Sequence, residues 1–254
     1  MTAARPAVNP TVSIITPTYL REDFHARIHR YFKWQTYPGL EWLVLDDSPA
    51  PSTVLGALDD PNIRYEHVAT RLSVGEKRNR LIERARGELI LHFDDDDFYA
   101  PGYVEFMVGE LIAKDVDLLN LRGWFIYDRR NSFFGYWNLE IKQGLHYVIN
   151  DQGVNPMIFN DLNNGPLANN ELGYAAGWAY RKGVWQAAPF SDKNWNEDGP
   201  FALKAQEKFR LAGTHDTTGV CMHLRHPSNI TEQCFAQYRF PEFLLPRIFP
   251  GFGA

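Results

Sequence analysis

Residues Leu89-Ile90-Leu91-His92-Phe93 form a nearly continuous apolar run, and four aspartates, Asp94 to Asp97, follow it without a break. A short run of this kind suits a strand covered on both faces, the environment inside a parallel sheet packed between helices. The carboxylates after it must then leave the interior at the strand's carboxyl end. Neighbouring segments fit that reading. Val12-Ser13-Ile14-Ile15 is a β-branched strand stopping at Thr16-Pro17-Thr18, and Leu40 to Leu45 is a second, cut off by Asp46-Asp47-Ser48-Pro49. Ile63 to Val68 and Val116 to Leu121 add two more. Helical spacing separates them. Asp23 to Trp34 carries Phe24, Ile28, Tyr31 and Phe32 on one side; Ser73-Val74-Gly75-Glu76 is a capping box opening a helix that ends near Gly87; a third helix runs from Pro101 to about Ile112. This order predicts an α/β domain with an open, mostly parallel sheet and helices on both faces. Ligands of such sheets bind beyond the carboxyl ends of the strands. Thr16-Pro17-Thr18-Tyr19, Asp46-Asp47-Ser48 and Asp94 to Asp97 therefore converge on one rim.

The second half is patterned differently. Eight aromatics stand between Trp124 and Tyr147: Trp124, Phe125, Tyr127, Phe133, Phe134, Tyr136, Trp137 and Tyr147. They suit either core packing or a stacking wall for a ligand. An Asn/Gly/Pro-rich loop at Asn160 to Asn170, a strand over Tyr174 to Tyr180, a helix from Asp198 or Gly199 to about Leu211 with Gly213 as its end signal, and a strand over Val220 to Leu224 complete the reading. This half is expected to continue the same domain and to wall a second substrate. With 26 basic and 31 acidic residues the net charge is −5, so no general nucleic-acid face is expected. Two cysteines, Cys221 and Cys234, are too few for a disulfide scaffold and read as buried free thiols in a reducing compartment. No apolar run reaches the roughly 18–20 residues of a membrane span, and Met1 to Pro10 has no apolar signal core. The expectation is a cytoplasmic protein. The apolar tail from Phe243 to Pro250 is expected to pack on the domain or a partner, with peripheral membrane contact as the lesser alternative.

Four adjacent carboxylates raise one another's pKa and need a counter-charge. A solvated acidic turn fits poorly, because the run follows a buried strand and precedes Phe98-Tyr99-Ala100-Pro101. An EF-hand calcium loop fails: Asp94, Asp96 and Glu105 suit its first, third and twelfth positions, but Phe98 and Tyr99 occupy the fifth and sixth, where a ligand and a glycine are needed. A hard divalent cation, Mg²⁺ or Mn²⁺, shared with nucleotide phosphates does fit. Neither a G-x-G-x-x-G turn after the first strand nor a phosphate-binding G-x-x-x-x-G-K-[ST] loop occurs, which argues against dinucleotide oxidoreductases and P-loop enzymes.

In order and spacing the motifs from about Val12 to Ile230 resemble those of family 2 glycosyltransferases. They are Val12 to Tyr19, Gln35 to Pro38 with Glu41 to Ser48, Lys77-Arg78-Asn79, Gly87 to Asp97 with Pro101, Gly177 to Arg181, Glu197-Asp198, and His226-Pro227-Ser228-Asn229-Ile230-Thr231. The resemblance implies a single GT-A domain over 1–254 with a Rossmann-like, mostly parallel sheet. Its parts would be a nucleotide-sugar half at about 10–121, an acceptor and catalytic half at about 122–235, and a tail at 236–254. It implies that Pro17, Thr18 and Tyr19 line the base and ribose, that Asp47 accepts from the uracil N3–H, and that Arg78 sits near the base or diphosphate. It further implies that Asp94 and Asp95 belong to the donor site, with Asp95 on the ribose, and that Asp96 binds the metal. His226 is the implied second metal ligand, with His223 its nearest competitor. Asp198 would be the general base, assisted by Glu197; helix capping is the structural alternative for this acidic pair.

The implied reaction is a metal-assisted, inverting transfer of one sugar from a nucleoside-diphosphate donor, UDP-linked by preference, to the hydroxyl of a saccharide, glycolipid or other acceptor. The Gln-x-x-Arg-Trp motif of processive relatives is missing; Gln206 to Arg210 only echoes it. Two other readings are a non-catalytic nucleotide-sugar-binding module and a sugar-1-phosphate nucleotidyltransferase. Against the latter, the loop after the first strand is Thr16-Pro17-Thr18-Tyr19-Leu20, not a glycine-rich basic one.

Overall fold

The structure is a computed structural model, and it describes residues 9–168, 172–227, 229 and 233–253. The first half runs β1 (Val12–Thr18), α1 (Glu22–Lys33), β2 (Leu40–Asp46), α2 (Thr53–Gly56), β3 (Ile63–His67), α3 (Val74–Arg84), β4 (Leu89–His92), β5 (Phe98–Tyr99) and α4 (Tyr103–Ala113). The second continues with β6 (Leu118–Asp128), β7 (Phe133–Asn138), β8 (Gly144–Asn150), β9 (Gly153–Phe159), α5 (Gly165–Ala168), β10 (Trp178–Arg181), α6 (Lys182–Ala187), α7 (Asp198–Lys208), β11 (Leu211–His215), β12 (Cys221–Arg225), β13 (Gln233–Ala236), β14 (Tyr238–Phe240) and α8 (Leu245–Ile248).

Every residue of β4 is buried, as its unbroken apolar run requires. The order β3-β2-β1-β4 is parallel throughout, with Thr18 opposite Asp46 and Ile15 opposite His92, so the three polar strand ends share one rim. Beyond β4 the sheet changes character. β10 enters antiparallel between β4 and β6, and β7 and β14 extend the far edge antiparallel. The long strand β6 also takes β11 and then β12 in parallel along its length. A separate three-stranded sheet has the order β13-β8-β9. A hydrophobic core runs from Val12 and Ile14 to Phe249, and a second packs Leu81, Ile82 and Ile90 against Trp178, Tyr180 and Phe201.

Several local expectations are corrected. Ser73 caps α3 as its sequence requires, accepting from the Glu76 N–H at 3.0 Å, but the Glu76 carboxylate turns to Arg80 and the box closes on one side only. Gly87 is no left-handed cap. A Cβ there would lie 2.5 Å from the Ser13 nitrogen, so glycine is required by the approach of two backbones. Helix α7 ends at Lys208, and Gly213 lies inside β11, where the Arg122 side chain fills the space of a Cβ at 2.2 Å. The segment expected as a strand from Tyr174 begins as a 3₁₀ turn, and only Trp178 to Arg181 is extended. The strand expected at Val116 to Leu121 runs on to Asp128 because Trp124, Phe125 and Ile126 continue the buried pattern.

Trp124, Phe125, Phe133, Phe134 and Trp137 are buried, so most of the aromatic segment is core. The tail packs on that core through Leu245 and Phe249, whose ring meets Phe98 at 5.4 Å. Both cysteines are free and buried. No helix among the described residues is long and apolar enough to cross a membrane.

Candidate active site

Parallel pairing delivers the ends of β1, β2 and β4 to one rim, and three clusters of polar side chains form there. The first is centred on Asp47. Its carboxylate is fully covered: Lys77, itself buried, donates from Nζ to Asp47 Oδ1 at 2.8 Å and to the Thr18 carbonyl at 2.9 Å. The Leu72 N–H donates to Asp47 Oδ2 at 2.7 Å, and Arg71 pairs with the same oxygen. The Arg71 guanidinium in turn lies 3.5 Å from the centre of the Tyr19 ring. Two expectations change here. Asp47 is engaged by the chain itself, so it ties α3 to β1 and β2 and orients Arg71; the Tyr19 face implied as a platform for a base carries Arg71. Pro17 stands half-buried on the same strand end.

The second cluster is the acidic loop. The Thr18 side chain is closed off from solvent and donates to Asp95 Oδ2 at 2.5 Å, so Thr18 positions Asp95 rather than facing a ligand. Arg21 Nε stands 3.6 Å from Asp95, and its Nη2 3.9 Å from Asp96. His226 Nε2 meets Asp96 Oδ2 at 2.9 Å. Burial and the neighbouring Asp96 push Asp95 well above the usual carboxylate range. Burial acts the same way on Asp96, but the His226 hydrogen bond and the charges of His226, His223 and Arg21 outweigh it and hold Asp96 low. The expected metal pair, Asp96 and His226, is thus brought together across 130 positions of sequence. His223 is placed elsewhere, with Nδ1 2.9 Å from Asp97 Oδ1. A carboxylate oxygen beside an imidazole nitrogen suits Mn²⁺ better than Mg²⁺, which takes oxygen ligands. No group of three or more His, Cys, Asp or Glu side chains among the described residues could hold a metal. Ser228, Ile230 and Thr231 of the His226 stretch lie outside the described residues.

The third cluster lines a cavity of about 830 Å³ and contains Arg78, Asp94, Asp97, Glu197, Asp198 and His223. Arg78 is buried and pairs with Glu197, with Asp94 at 3.8 Å. Burial opposes its charge, but Glu197, Asp94 and Asp198 outweigh that and push its pKa up. Burial also pushes the Asp94 carboxyl up to about 7, Arg78 pulling against it. Glu197 precedes α7 and makes no capping hydrogen bond, so the structural alternative for the acidic pair is not realised by Glu197. Asp198 opens α7, and its carboxylate has no hydrogen bond or ion pair among the described residues.

A family model described as glycosyl transferase family 2 matches residues 13–184. The chain belongs to that family. Over 97 residues this family 2 chain is 33% identical to the putative colanic acid biosynthesis glycosyl transferase WcaA of Escherichia coli K12, covering 37% of the chain and 35% of WcaA. Over 111 residues it is 28% identical to the Escherichia coli UDP-Glc:alpha-D-GlcNAc-diphosphoundecaprenol beta-1,3-glucosyltransferase WfgD, covering 42% and 44%. The matches therefore span less than half of these relatives. Among solved structures, S. aureus TarS in complex with UDP-GlcNAc superposes with a TM-score of 0.61 at 18% identity, over 86% of this chain and 60% of that one. The mannosyltransferase PcManGT of Pyrobaculum calidifontis, in complex with GDP-Man and Mn2+, gives 0.60 at 15% identity, over 88% and 59%. These likenesses establish the GT-A fold of the family 2 chain.

Sequence reasoning passed over Arg21, Arg71 and Trp195, and gave Lys77 and Asp97 no individual role. Lys77 carried a signal in the Lys77-Arg78-Asn79 stretch. Arg21 directly follows Leu20, a non-glycine residue held at φ +54°, where the chain turns from β1 into α1.

Proposed function

We propose that this chain is an inverting, non-processive glycosyltransferase that moves one sugar from a nucleoside-diphosphate donor, UDP-linked, to an acceptor hydroxyl. One observation carries the reading. The Asp198 carboxylate, with no hydrogen bond or ion pair among the described residues, lines the same cavity as Asp94 and Asp97 of the acidic loop. On this reading the base and two members of the acidic loop address one space of about 830 Å³. The complexes of TarS with UDP-GlcNAc and of PcManGT with GDP-Man and Mn2+ support the donor class, and the WfgD name supports a lipid-linked saccharide among acceptor candidates.

In the proposed step the acceptor oxygen attacks the anomeric carbon as its proton passes to Asp198. The bond from that carbon to the diphosphate oxygen breaks, and the nucleoside diphosphate leaves with the electron pair. Asp198 suits this task because a sugar hydroxyl is a weak nucleophile until a positioned base removes its proton. Glu197, fixed by Arg78, holds the start of α7 against α3 and so keeps Asp198 in place. Asp95, set by Thr18 and Arg21, takes the ribose. Arg71 on Tyr19 offers a guanidinium face to the base, with Pro17 beside it. Asp96 and His226 would hold Mn²⁺ or Mg²⁺, whose chemistry is to neutralise the charge gathering on the diphosphate. On this reading residues 10–121 and 122–235 are the donor and acceptor sides of one domain working in the cytoplasm. A reducing compartment suits its two free thiols.

The test is Asp198→Asn. Transfer, followed as UDP release that depends on acceptor, should fall by roughly 10²–10⁴-fold, while UDP with Mn²⁺ still raises the melting temperature as it does for the parent. Normal turnover by Asp198→Asn would remove the base from this position.

A further inference from the structure

Trp195 is 72% exposed and lines the cavity three residues before Asp198. Single exposed apolar side chains are ordinary and need no explanation. This one differs because the loop around it is clamped. Gly75 N–H donates to the Lys193 carbonyl at 3.0 Å, Val74 N–H to Asn194 Oδ1 at 3.2 Å, and Ser73 Oγ to Asp192 Oδ1 at 2.5 Å. A Cβ on Gly75 would lie 1.8 Å from the Ser191 carbonyl, so the loop and the start of α3 touch backbone to backbone. On its other side Asn196 is held at φ +56°, and Glu197 is locked to buried Arg78. A loop fixed at both ends thus presents the largest side chain type to solvent at the cavity wall. The indole N–H has no partner among the described residues, as is also true of buried Trp124 and Trp137, whereas those of Trp34, Trp42, Trp178 and Trp185 bond within the chain; Trp195 alone of the three unbonded indoles is exposed.

We infer that Trp195 is the stacking platform for the acceptor, and that the acceptor presents a saccharide ring there. An apolar indole face beside Asn194, Asn196 and Gln233 matches a pyranose, which has an apolar C–H face and a rim of hydroxyls that amides can bond. Trp195 and Asp198 line the same cavity, so a ring stacked on the indole enters the space that the base addresses. The buried aromatics of Trp124 to Trp137 are unavailable for this role. The inference rests on the glycosyltransferase reading and names the acceptor class and the residue that selects it.

A glycan array probed with the whole chain in the presence of UDP and Mn²⁺ tests it. The parent protein should bind at least one saccharide class. Trp195→Ala should lose that signal by about tenfold or more, and Trp195→Phe should keep most of it. A parent that binds no glycan, or an alanine variant with the parent's pattern, overturns the inference. UDP-induced thermal stabilisation is measured on the same samples. Its absence in the parent counts against the donor reading itself, whereas its presence with an unchanged array pattern counts against Trp195 alone.

Discussion

Arg78 stands between Glu197 and Asp94 with its guanidinium out of water, so its two carboxylate partners are its solvation. Removing one member of a buried pair leaves the other charged or forces it to neutralise, and either outcome costs about 3–5 kcal/mol. Replacing both by apolar groups of similar size removes the charge and its desolvation together. Arg78→Met should therefore lower stability by about that amount in denaturant unfolding, and Arg78→Met with Glu197→Leu should recover a substantial part of the loss. Strictly additive effects of the two substitutions would show that the pair carries no coupling. The Asp47 cluster obeys the same logic through Lys77. A lysine on a helix reads as a solvated charge, yet here it is buried because it meets both Asp47 and the Thr18 carbonyl. That is why the fate of Asp47 could not be read from the sequence. The partner that covers it sits 30 positions away, on a face whose burial depends on how α3 lies against the sheet.

Helices α1 and α2 are joined by Glu22, in the first turn of α1. Its Oε1 accepts from the Thr53 N–H at 2.9 Å, the Thr53 hydroxyl at 2.6 Å and the Val54 N–H at 3.2 Å, serving the free N–H groups that open α2. Hydrogen bonds from Ser52, Thr53 and Val54 lower its pKa from 4.5 to about 2. A carboxylate with a depressed folded pKa gives stability that is complete above its unfolded value and lost as pH falls through the folded one. Glu22→Gln should therefore melt below the parent at pH 7, and the gap should close between pH 4.5 and 2. An equal gap at pH 7 and pH 2.5 would contradict this account. At this scale the parallel half was legible, because β-branched runs ending in Asp or Pro mark strand ends by local chemistry. The end of α7 was not. Gly213 resembles a helix stop in sequence, but it serves a strand whose neighbour's Arg122 occupies its side-chain space, a relation with no local signature. The extension of the sheet past β4 was hidden for the same reason, since antiparallel β10 reaches its place beside β4 only after residues 93–177 of intervening chain.

In the whole molecule, every connection across the candidate site joins distant stretches of sequence. Asp96 follows β4 and His226 follows β12; Arg78 belongs to α3 and Glu197 precedes α7. The resemblance to family 2 made these residues visible individually, but only folding makes them neighbours. A ligand seated among them would bridge both halves and stabilise the folded state as a unit, because no such site exists in the unfolded chain. UDP at about 100 times its Kd, with Mn²⁺ present, should add about 2.7 kcal/mol, a rise of roughly 5–10 °C for a chain of this size. Chelation by EDTA should remove most of that rise if Asp96 and His226 hold a cation shared with the diphosphate. Asp96→Ala should reproduce the chelated behaviour without chelator, since it deletes the carboxylate while the Arg78–Glu197 clamp persists. A UDP-induced rise insensitive to EDTA in the parent, or an Asp96→Ala protein that still responds to Mn²⁺ as the parent does, would detach the metal from this corner of the fold.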